Sequence, residues 1–251
     1  MFKIHSLSAE IKGKSLFSNM DLTINDGEIH VLMGKNGIGK SSLCRIIMNY
    51  PGYSILGGSI VYNNQDLLSL STSEIAKKGI FLISQNPLSI EGVSNAEVLR
   101  CALREKNDTN INIFEFNKSL EKACERLNLD KSFIHRDINV GASGGERKKV
   151  ELMHVDILKP NFLLLDEIDS GLDVDALKDV CEFIKKYHEE TKASILIITH
   201  HSNIIDYIKP NFVHILDGGH IIKTGDYHLA YDIEKEGYNE ASIIDQKDLC
   251  E

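Results

Sequence analysis

Hydrophobic and polar positions alternate along the start of the chain and then give way to apolar runs. Phe2–Ile11 and Leu16–Ile24 alternate roughly as strands do, around the turn Lys12-Gly13-Lys14, which predicts an N-terminal antiparallel β layer. Glu28–Met33 is a short apolar run that ends at a glycine-rich loop, and the pattern predicts a helix over Lys40–Tyr50. A strand, a loop and a helix in this order open a parallel α/β sheet.

The α/β rhythm continues and returns near the end of the chain. Further strands are predicted at Ser59–Tyr62, Ile80–Ser84, Phe162–Leu165, Ser194–Thr199 and Phe212–Leu216. A long helix is predicted at Val174–Glu190. Between them the pattern is helical, with no convincing strand, at Asn95–Lys106, Phe114–Leu127 and Gly144–Leu158. The sequence therefore predicts an α/β core of residues 1–85 and 160–251, interrupted by a helical subdomain of residues 86–159.

The composition and net charge of the chain argue against several classes of function. The chain has 251 residues and a formal net charge of −9. This argues against sequence-independent binding to nucleic acid and against binding to an anionic membrane, because both need a positive surface. The N-terminal segment lacks the apolar region of a signal peptide, and no apolar run approaches the ~20 residues that cross a bilayer. We therefore expect a cytoplasmic protein without direct membrane insertion. Its five cysteines stand far apart, so we expect free thiols rather than a zinc or redox pair.

A phosphate-binding motif stands between the first core strand and its helix. The pattern G-x-x-x-x-G-K-[ST] is complete, and Ser42 follows it. Its residues are Gly34, Lys35, Asn36, Gly37, Ile38, Gly39, Lys40 and Ser41. The glycines let successive backbone N–H groups point at phosphate oxygens, beside the positive end of a helix. We predict that Lys40 compensates the β- and γ-phosphates of a nucleotide and that Ser41 binds Mg²⁺.

Two acids follow the predicted strand Phe162–Leu165. Burial of the strand explains the apolar run but does not explain Asp166 and Glu167 at its carboxyl end, where α/β proteins place their ligands. We predict that Asp166 holds Mg²⁺, directly or through water. Glu167 is predicted to be the general base that polarises the attacking water.

A third motif makes the combination specific. The segment Ser143, Gly144, Gly145 and Glu146 opens a helix 20 residues before Asp166. With the two motifs above and a histidine after a later strand, the chain resembles the ABC ATPase family over almost its whole length. The resemblance implies a RecA-like parallel-sheet core with an N-terminal antiparallel β layer and an inserted α-helical subdomain that carries this signature segment.

The resemblance also implies an ATP-dependent, head-to-tail homodimer. In it, Ser143–Glu146 of one protomer would cap the γ-phosphate of ATP held by the phosphate-binding loop of the other, with ATP and Mg²⁺ as cofactors. A hydroxyl, two unhindered N–H groups and a helix N-terminus agree with a second anion site.

Other site residues are assigned by their match to the family. Gln85 matches the Q-loop glutamine, a contact to Mg²⁺ or water, and the segment Ser170–Asp173 is similar to the D-loop. His200 matches the switch histidine at the γ-phosphate, whereas the neighbouring His201 is interpreted as a surface residue. The chain departs from the family at Ile11, where an aromatic residue usually stacks on adenine, so we expect modest affinity for ATP and poor discrimination against GTP.

Stretches outside the nucleotide motifs resemble one branch of the family, the SufC ATPases of the SUF iron–sulfur cluster assembly machinery. These stretches are Ile90–Asn95, Asp169–Leu177, Asp206–His214, and Lys223–Asp226 leading to Glu236–Tyr238. That resemblance implies SufB- and SufD-like scaffold partners, docked at an apolar cluster of Leu88, Ile90 and Val93. The opposite possibility is that these three side chains fold back into the helical subdomain.

Two other functions stay open at this point. The first is the nucleotide-binding subunit of an ABC membrane transporter. The second is an ATP-gated clamp with little turnover, against which the presence of Glu167 weighs.

Overall fold

The computed structural model of the protein describes residues 1–107 and 111–238. Its strands are β1 (Phe2–Ile11), β2 (Lys14–Ile24), β3 (Ile29–Met33), β4 (Ser54–Tyr62), β5 (Gln65–Asp66), β6 (Ile80–Ile83), β7 (Ile90–Ser94), β8 (Asp137–Ile138), β9 (Phe162–Asp166), β10 (Ser194–Ile198), β11 (Phe212–Asp217) and β12 (His220–Gly225). Its α-helices are α1 (Lys40–Ile47), α2 (Thr72–Lys77), α3 (Asn95–Asn107), α4 (Ile113–Arg126), α5 (Gly144–Leu158), α6 (Val174–Thr191), α7 (Asn203–Ile208) and α8 (His228–Glu236). Two short 3₁₀ helices cover Leu67–Ser69 and Lys131–Ile134.

A six-stranded sheet forms the centre of the molecule, in the order β12-β11-β3-β10-β9-β6. Five of its strands are parallel, and β12 is antiparallel at one edge. Every residue of β3, β9 and β10 is buried, because helices or a second sheet cover both faces. That burial explains why these segments read as continuous apolar runs in the sequence.

The two faces of the central sheet pack in two separate hydrophobic cores. Val31 and Ile197 point to the core shared with α4, α5 and α6, whereas Leu32 and Ile198 point to the core shared with α1 and the N-terminal strands. The side-chain period of two along a strand produces this division. The predicted α/β class with a parallel-sheet core is confirmed.

The N-terminal layer is a separate antiparallel sheet in the order β2-β1-β4-β5. Lys12 and Gly13 both have positive φ, 50° and 76°, which is the two-residue turn whose twist suits a tight hairpin. The predicted hairpin is therefore confirmed. The predicted helix Lys40–Tyr50 ends earlier, at Ile47, because Asn49 adopts a left-handed conformation with φ 50°.

The prediction that residues 86–159 contain no strand is wrong. β7 and β8 form a small antiparallel sheet, and the Asp137 carboxylate accepts a hydrogen bond of 2.8 Å from the Gly92 amide across it. A two-residue strand that pairs with a segment about 40 residues away leaves no periodic pattern in the sequence. The pairing is decided by the tertiary contact alone.

The helical subdomain shares its core with the sheet. Buried residues of α4 and α5, such as Leu120 and Leu152, belong to the same cluster as Leu165 of β9 and Ile184 of α6. The limits of the subdomain therefore stay a prediction. None of the helices in residues 1–107 and 111–238 combines the length and the apolar character that a bilayer crossing requires.

Four cysteines are free thiols, and the fifth, Cys250, lies outside the described residues. The four are Cys44, Cys101, Cys124 and Cys181. Burial raises the pKa of the Cys124 thiol to about 11 and that of Cys181 to about 12, so these thiols remain protonated and inert at neutral pH.

Candidate functional site

The predicted site residues lie at one edge of the central sheet. The parallel strands β3, β10, β9 and β6 are neighbours, and their carboxyl ends lead into the phosphate-binding loop, His200, Glu167 and Gln85 respectively. Ligands of open α/β sheets bind at this edge. Residues separated by up to 166 positions are thus brought to one place.

The loop requires glycine at two positions, at Gly34 because of close packing and at Gly39 because of its backbone conformation. A Cβ at Gly34 would lie 2.5 Å from the Ile38 side chain and 2.6 Å from the Leu216 carbonyl oxygen. Gly39 has φ 109°, and its Cβ position is 3.4 Å from the Phe17 ring and 3.5 Å from Leu16. The N-terminal β layer therefore supports the loop directly, a contact that the sequence analysis missed because it joins two distant segments.

Lys40 lies inside the loop. Its Nζ donates to the carbonyl oxygens of Gly34, at 2.7 Å, and Lys35, at 2.9 Å, and the residue is only 4% exposed. Burial lowers the pKa of Lys40, and the carboxylates of Glu167 and Asp166 oppose that fall. A cation at the centre of a glycine-rich loop, at the N-terminus of α1, forms a site suited to phosphate oxygens.

Ser41 and Asp166 form a pair of oxygen ligands below the loop. The Ser41 hydroxyl donates to Asp166 Oδ1 at 2.8 Å. Burial raises the pKa of Asp166, and the hydrogen bond from Ser41 opposes this rise. Among the described residues no group of three or more His, Cys, Asp or Glu could hold a metal ion. A hydroxyl and one carboxylate fit Mg²⁺, which keeps several waters and takes phosphate oxygens as further ligands.

Glu167 lies next to two other predicted site residues, Gln85 and His200. Its Oε2 accepts a hydrogen bond from Gln85 Nε2, and its Oε1 lies 3.6 Å from His200 Nδ1. Glu167 is 8% exposed and has a positive φ of 46°, a conformation that costs free energy for a non-glycine residue. Its amide donates to the Ile198 carbonyl oxygen at 2.9 Å, which holds that conformation in place.

The signature segment forms a local helix cap. The Ser143 hydroxyl accepts a 3.3 Å hydrogen bond from the Glu146 amide, and the Glu146 carboxylate accepts a 2.8 Å bond from the Ser143 amide. Gly144 faces the D-loop, where its Cβ position is 3.5 Å from the Gly171 carbonyl oxygen. Asp173 in turn caps α6 through the Ala176 amide, at 2.8 Å. In this chain the carboxylates of Glu146 and Asp173 therefore stabilise helix N-termini.

An ion pair on α5 was missed by the sequence analysis. Lys148 is 3% exposed, and its Nζ donates to the Ser84 carbonyl oxygen at 2.7 Å and lies 3.6 Å from Glu151. Burial raises the pKa of Glu151 to about 7, although Lys148 opposes the rise. The pair ties the helix of the signature segment to the residue before Gln85. A lysine and a glutamate three positions apart usually indicate a solvated helix face, so the sequence offered no signal of burial.

Two further contacts lie near the site. The Thr199 hydroxyl donates to Asp169 Oδ2 at 2.8 Å and so joins the strand end before His200 to the residue that precedes the D-loop; neither residue was predicted to belong to the site. Ile11 is half-buried at the end of β1, and its contact with a base stays a prediction.

Comparison with known proteins places the chain among ATP-binding cassettes. The profile of the family described as ABC transporter matches residues 17–170. A protein of Guillardia theta named as a probable ATP-dependent transporter is 41% identical over 243 residues, which cover 95% of this chain and 96% of that protein. Vegetative protein 296 of Bacillus subtilis is 40% identical, with 94% and 91% covered. The chloroplastic ABC transporter I family member 6 of Arabidopsis thaliana is 40% identical, with 91% and 69% covered.

Solved structures show the same fold. A dimeric ATP-binding cassette in a post-hydrolysis state, bound to ADP and Pi, matches with a TM-score of 0.79 at 21% identity, covering 90% of this chain and 99% of that one. A nucleotide-free ATP-binding cassette from an ABC transporter matches with a TM-score of 0.76 at 19% identity, covering 95% and 96%.

Proposed function

The chain belongs to the ABC transporter family of ATP-hydrolysing cassettes, and we propose that it is the ATPase subunit of a SUF-type iron–sulfur cluster assembly complex. In this role it hydrolyses ATP in a head-to-tail homodimer and changes the conformation of SufB- and SufD-like scaffolds. The observation that carries the ATPase part is the meeting of Gln85, Glu167 and His200 beside Lys40 and Ser41.

In the proposed reaction, each side chain of the site has a defined role. Lys40 and the loop amides hold the phosphates, and the Glu167 carboxylate removes a proton from the water that attacks the γ-phosphorus. The bond from that phosphorus to the bridging oxygen breaks, leaving ADP and inorganic phosphate. Gln85 orients Glu167, and His200 donates a hydrogen bond to the γ-phosphate. Ser41 and Asp166 would hold Mg²⁺, which neutralises charge on the phosphates when bound.

The position of the signature segment supports the proposed dimer. Ser143–Glu146 lies against the D-loop of its own chain, so we propose that its hydroxyl and free helix amides serve the nucleotide of a partner protomer. The solved cassette bound to ADP and Pi is described as dimeric, which supports this arrangement.

Exposed apolar side chains support docking of a scaffold protein. Leu88 is 79% exposed and Ile90 is 42% exposed, while Val93 is half-buried. The first two therefore do not fold back into the helical subdomain. A groove of about 440 Å³ between α2 and α3 offers further apolar surface, including Phe81 and Val98. Exposed apolar surface of this kind marks interaction sites.

The second candidate function is the nucleotide-binding subunit of a membrane transporter. The observation in its favour is the name of several relatives, probable ATP-dependent transporter. The SUF assignment instead depends on the stretches outside the nucleotide motifs, such as Asp169–Leu177 and Asp206–His214.

Affinity capture of the tagged full-length chain from its native cells tests the choice. The SUF proposal expects SufB- and SufD-like proteins in the eluate, and it expects Ile90→Asp to lose them while ATP binding persists. Ile113→Asp, which changes an exposed isoleucine on α4, is the matched control and should retain them. Membrane permeases in place of Suf scaffolds would establish the transporter function.

A further inference from the structure

The last helix of the described chain, α8, packs beside the segment that carries His200. Three residues of α8 are buried in the core that also contains Ile204 and Ile205 of α7. They are Leu229, Ala230 and Ile233. The family profile ends at residue 170, so the match does not include this helix.

Ser202 is bonded in an unusual way for its position. It precedes the first residue of α7, where a serine hydroxyl ordinarily accepts a hydrogen bond from a backbone amide of the first helical turn. Its side chain makes no such cap. Instead, the hydroxyl donates to the carboxylate of Glu234 on α8, and Ser202 is 5% exposed. A local capping bond is thus replaced by a charge-assisted tertiary one.

The turn that presents His200 is held at both ends. At its start, the Thr199 amide donates to the Leu32 carbonyl oxygen at 3.3 Å and its hydroxyl donates to Asp169. At its end, Ser202 is bonded to Glu234. Between these points the His200 imidazole is a quarter exposed, and its Nδ1 lies 3.6 Å from Glu167 Oε1. One of the side-chain bonds that hold this turn from outside therefore comes from α8.

We infer that Glu234, acting through Ser202, is a positioning residue for His200 in ATP hydrolysis. This inference rests on the proposed role of His200 at the γ-phosphate. Without the bond, the end of the turn is released, and a displacement of ~1 Å at a reacting group can cost up to about 10²-fold in rate. The rate of hydrolysis should therefore fall while ATP binding, which depends on Lys40 and the phosphate-binding loop, is retained.

The test compares Ser202→Ala and Glu234→Ala in the full-length chain, with kcat, KM and the Kd for ATP measured at saturating Mg²⁺. We expect each variant to lower kcat about 10-fold with the Kd changed less than about twofold, and the double variant to be no slower than either single one. Tyr231→Phe is the matched control. It removes a different side-chain bond of α8, from the Tyr231 hydroxyl to Asp206 of α7, and should lower thermal stability while leaving kcat intact.

A third arm places Glu234→Ala in a His200→Ala background, where it should have no further effect on kcat. Three results would overturn the inference: a wild-type kcat for Glu234→Ala, an equal loss in Tyr231→Phe, or multiplied losses in the His200→Ala background. If His200→Ala alone hydrolyses ATP at the wild-type rate, the role of His200 fails and the inference fails with it. Wild-type turnover by both Lys40→Ala and Glu167→Gln would instead reject the proposed function.

Discussion

Two parts of the site are stabilised by different kinds of contact: the edge of the central sheet that carries the phosphate-binding loop, and the signature segment. At the edge, Asp166 and Glu167 are held by bonds to Ser41 and Ile198, which lie far away in sequence. In the signature segment, Ser143 and Glu146 bond to each other within one helical turn. The sheet edge thus depends on contacts between segments that are far apart in the sequence. The signature segment is a local helix cap, and its remaining amides are available to a second molecule.

The largest effect is expected at the assembled edge, from Lys40→Ala. The substitution removes the cation at the centre of the loop and leaves phosphate charge uncompensated, so ATP binding should be abolished. Titration with a fluorescent ATP analogue measures this, and circular dichroism checks that the variant folds. Retention of wild-type affinity would show that the loop amides suffice and that Lys40 has another role.

Glu167→Gln should separate binding from chemistry at the same edge. The amide cannot accept the proton of the attacking water, so hydrolysis should fall by about 10²–10⁴-fold while ATP still binds. The variant should accumulate an ATP-bound dimer, which size-exclusion chromatography with light scattering detects. Turnover at the wild-type rate would exclude Glu167 as the general base.

Ser143→Ala tests the signature segment. Loss of the cap should lower the free energy of unfolding by ~1 kcal/mol. If the hydroxyl serves a partner's ATP, hydrolysis should also fall, whereas ATP binding by the monomer persists. Ser71→Ala is the matched control, because Ser71 and Glu74 form the same capping box on α2. Equal losses of hydrolysis in both variants would mean that the effect is one of stability only.

Glu151→Gln tests the contact between the two regions, where the ion pair of Lys148 and Glu151 on α5 lies. The pKa of Glu151 is raised from 4.5 to about 7, so between these values the folded chain binds more protons than the unfolded chain. The contribution of Glu151 to the free energy of unfolding therefore decreases as pH rises from about 4.5 to 7. The difference should be about 3 kcal/mol, since each pKa unit corresponds to about 1.4 kcal/mol.

Urea unfolding at several pH values measures this effect. Relative to wild type, Glu151→Gln should gain stability as pH increases through that window. Parallel curves for the two proteins would show that Glu151 has an ordinary pKa in the folded state.

The smallest effect is expected at the base, from Ile11→Tyr. An aromatic ring in place of the aliphatic side chain should add ~0.5–1.5 kcal/mol to ATP binding, a factor of roughly 2 to 12 in Kd. Competition between ATP and GTP measures both affinity and selectivity. A strong preference of the wild-type chain for ATP would show that another residue recognises the base.

Local patterns predicted most of the strands and the positions of the motifs. β3, β9 and β10 were predicted because a buried parallel strand must be apolar on both faces, and the phosphate-binding loop because its chemistry lies within eight consecutive residues. β7 and β8, the helices α2, α7 and α8, and the edge strand β12 were not predicted. They are short, and β7 and β8 pair across a long separation in the sequence, although β12 pairs with the adjacent strand β11.

The sequence by itself determined the α/β rhythm, the phosphate-binding loop and the acids that end β9, because each is encoded by neighbouring residues. Only the tertiary structure decided what those residues bond to. Ser202 has the sequence position of a helix cap and yet bonds to Glu234, and Lys148 has the spacing of a surface pair and yet is buried against Ser84. The physical reason is that burial and a distant partner set the strength of a polar contact, and neither is visible in a local pattern.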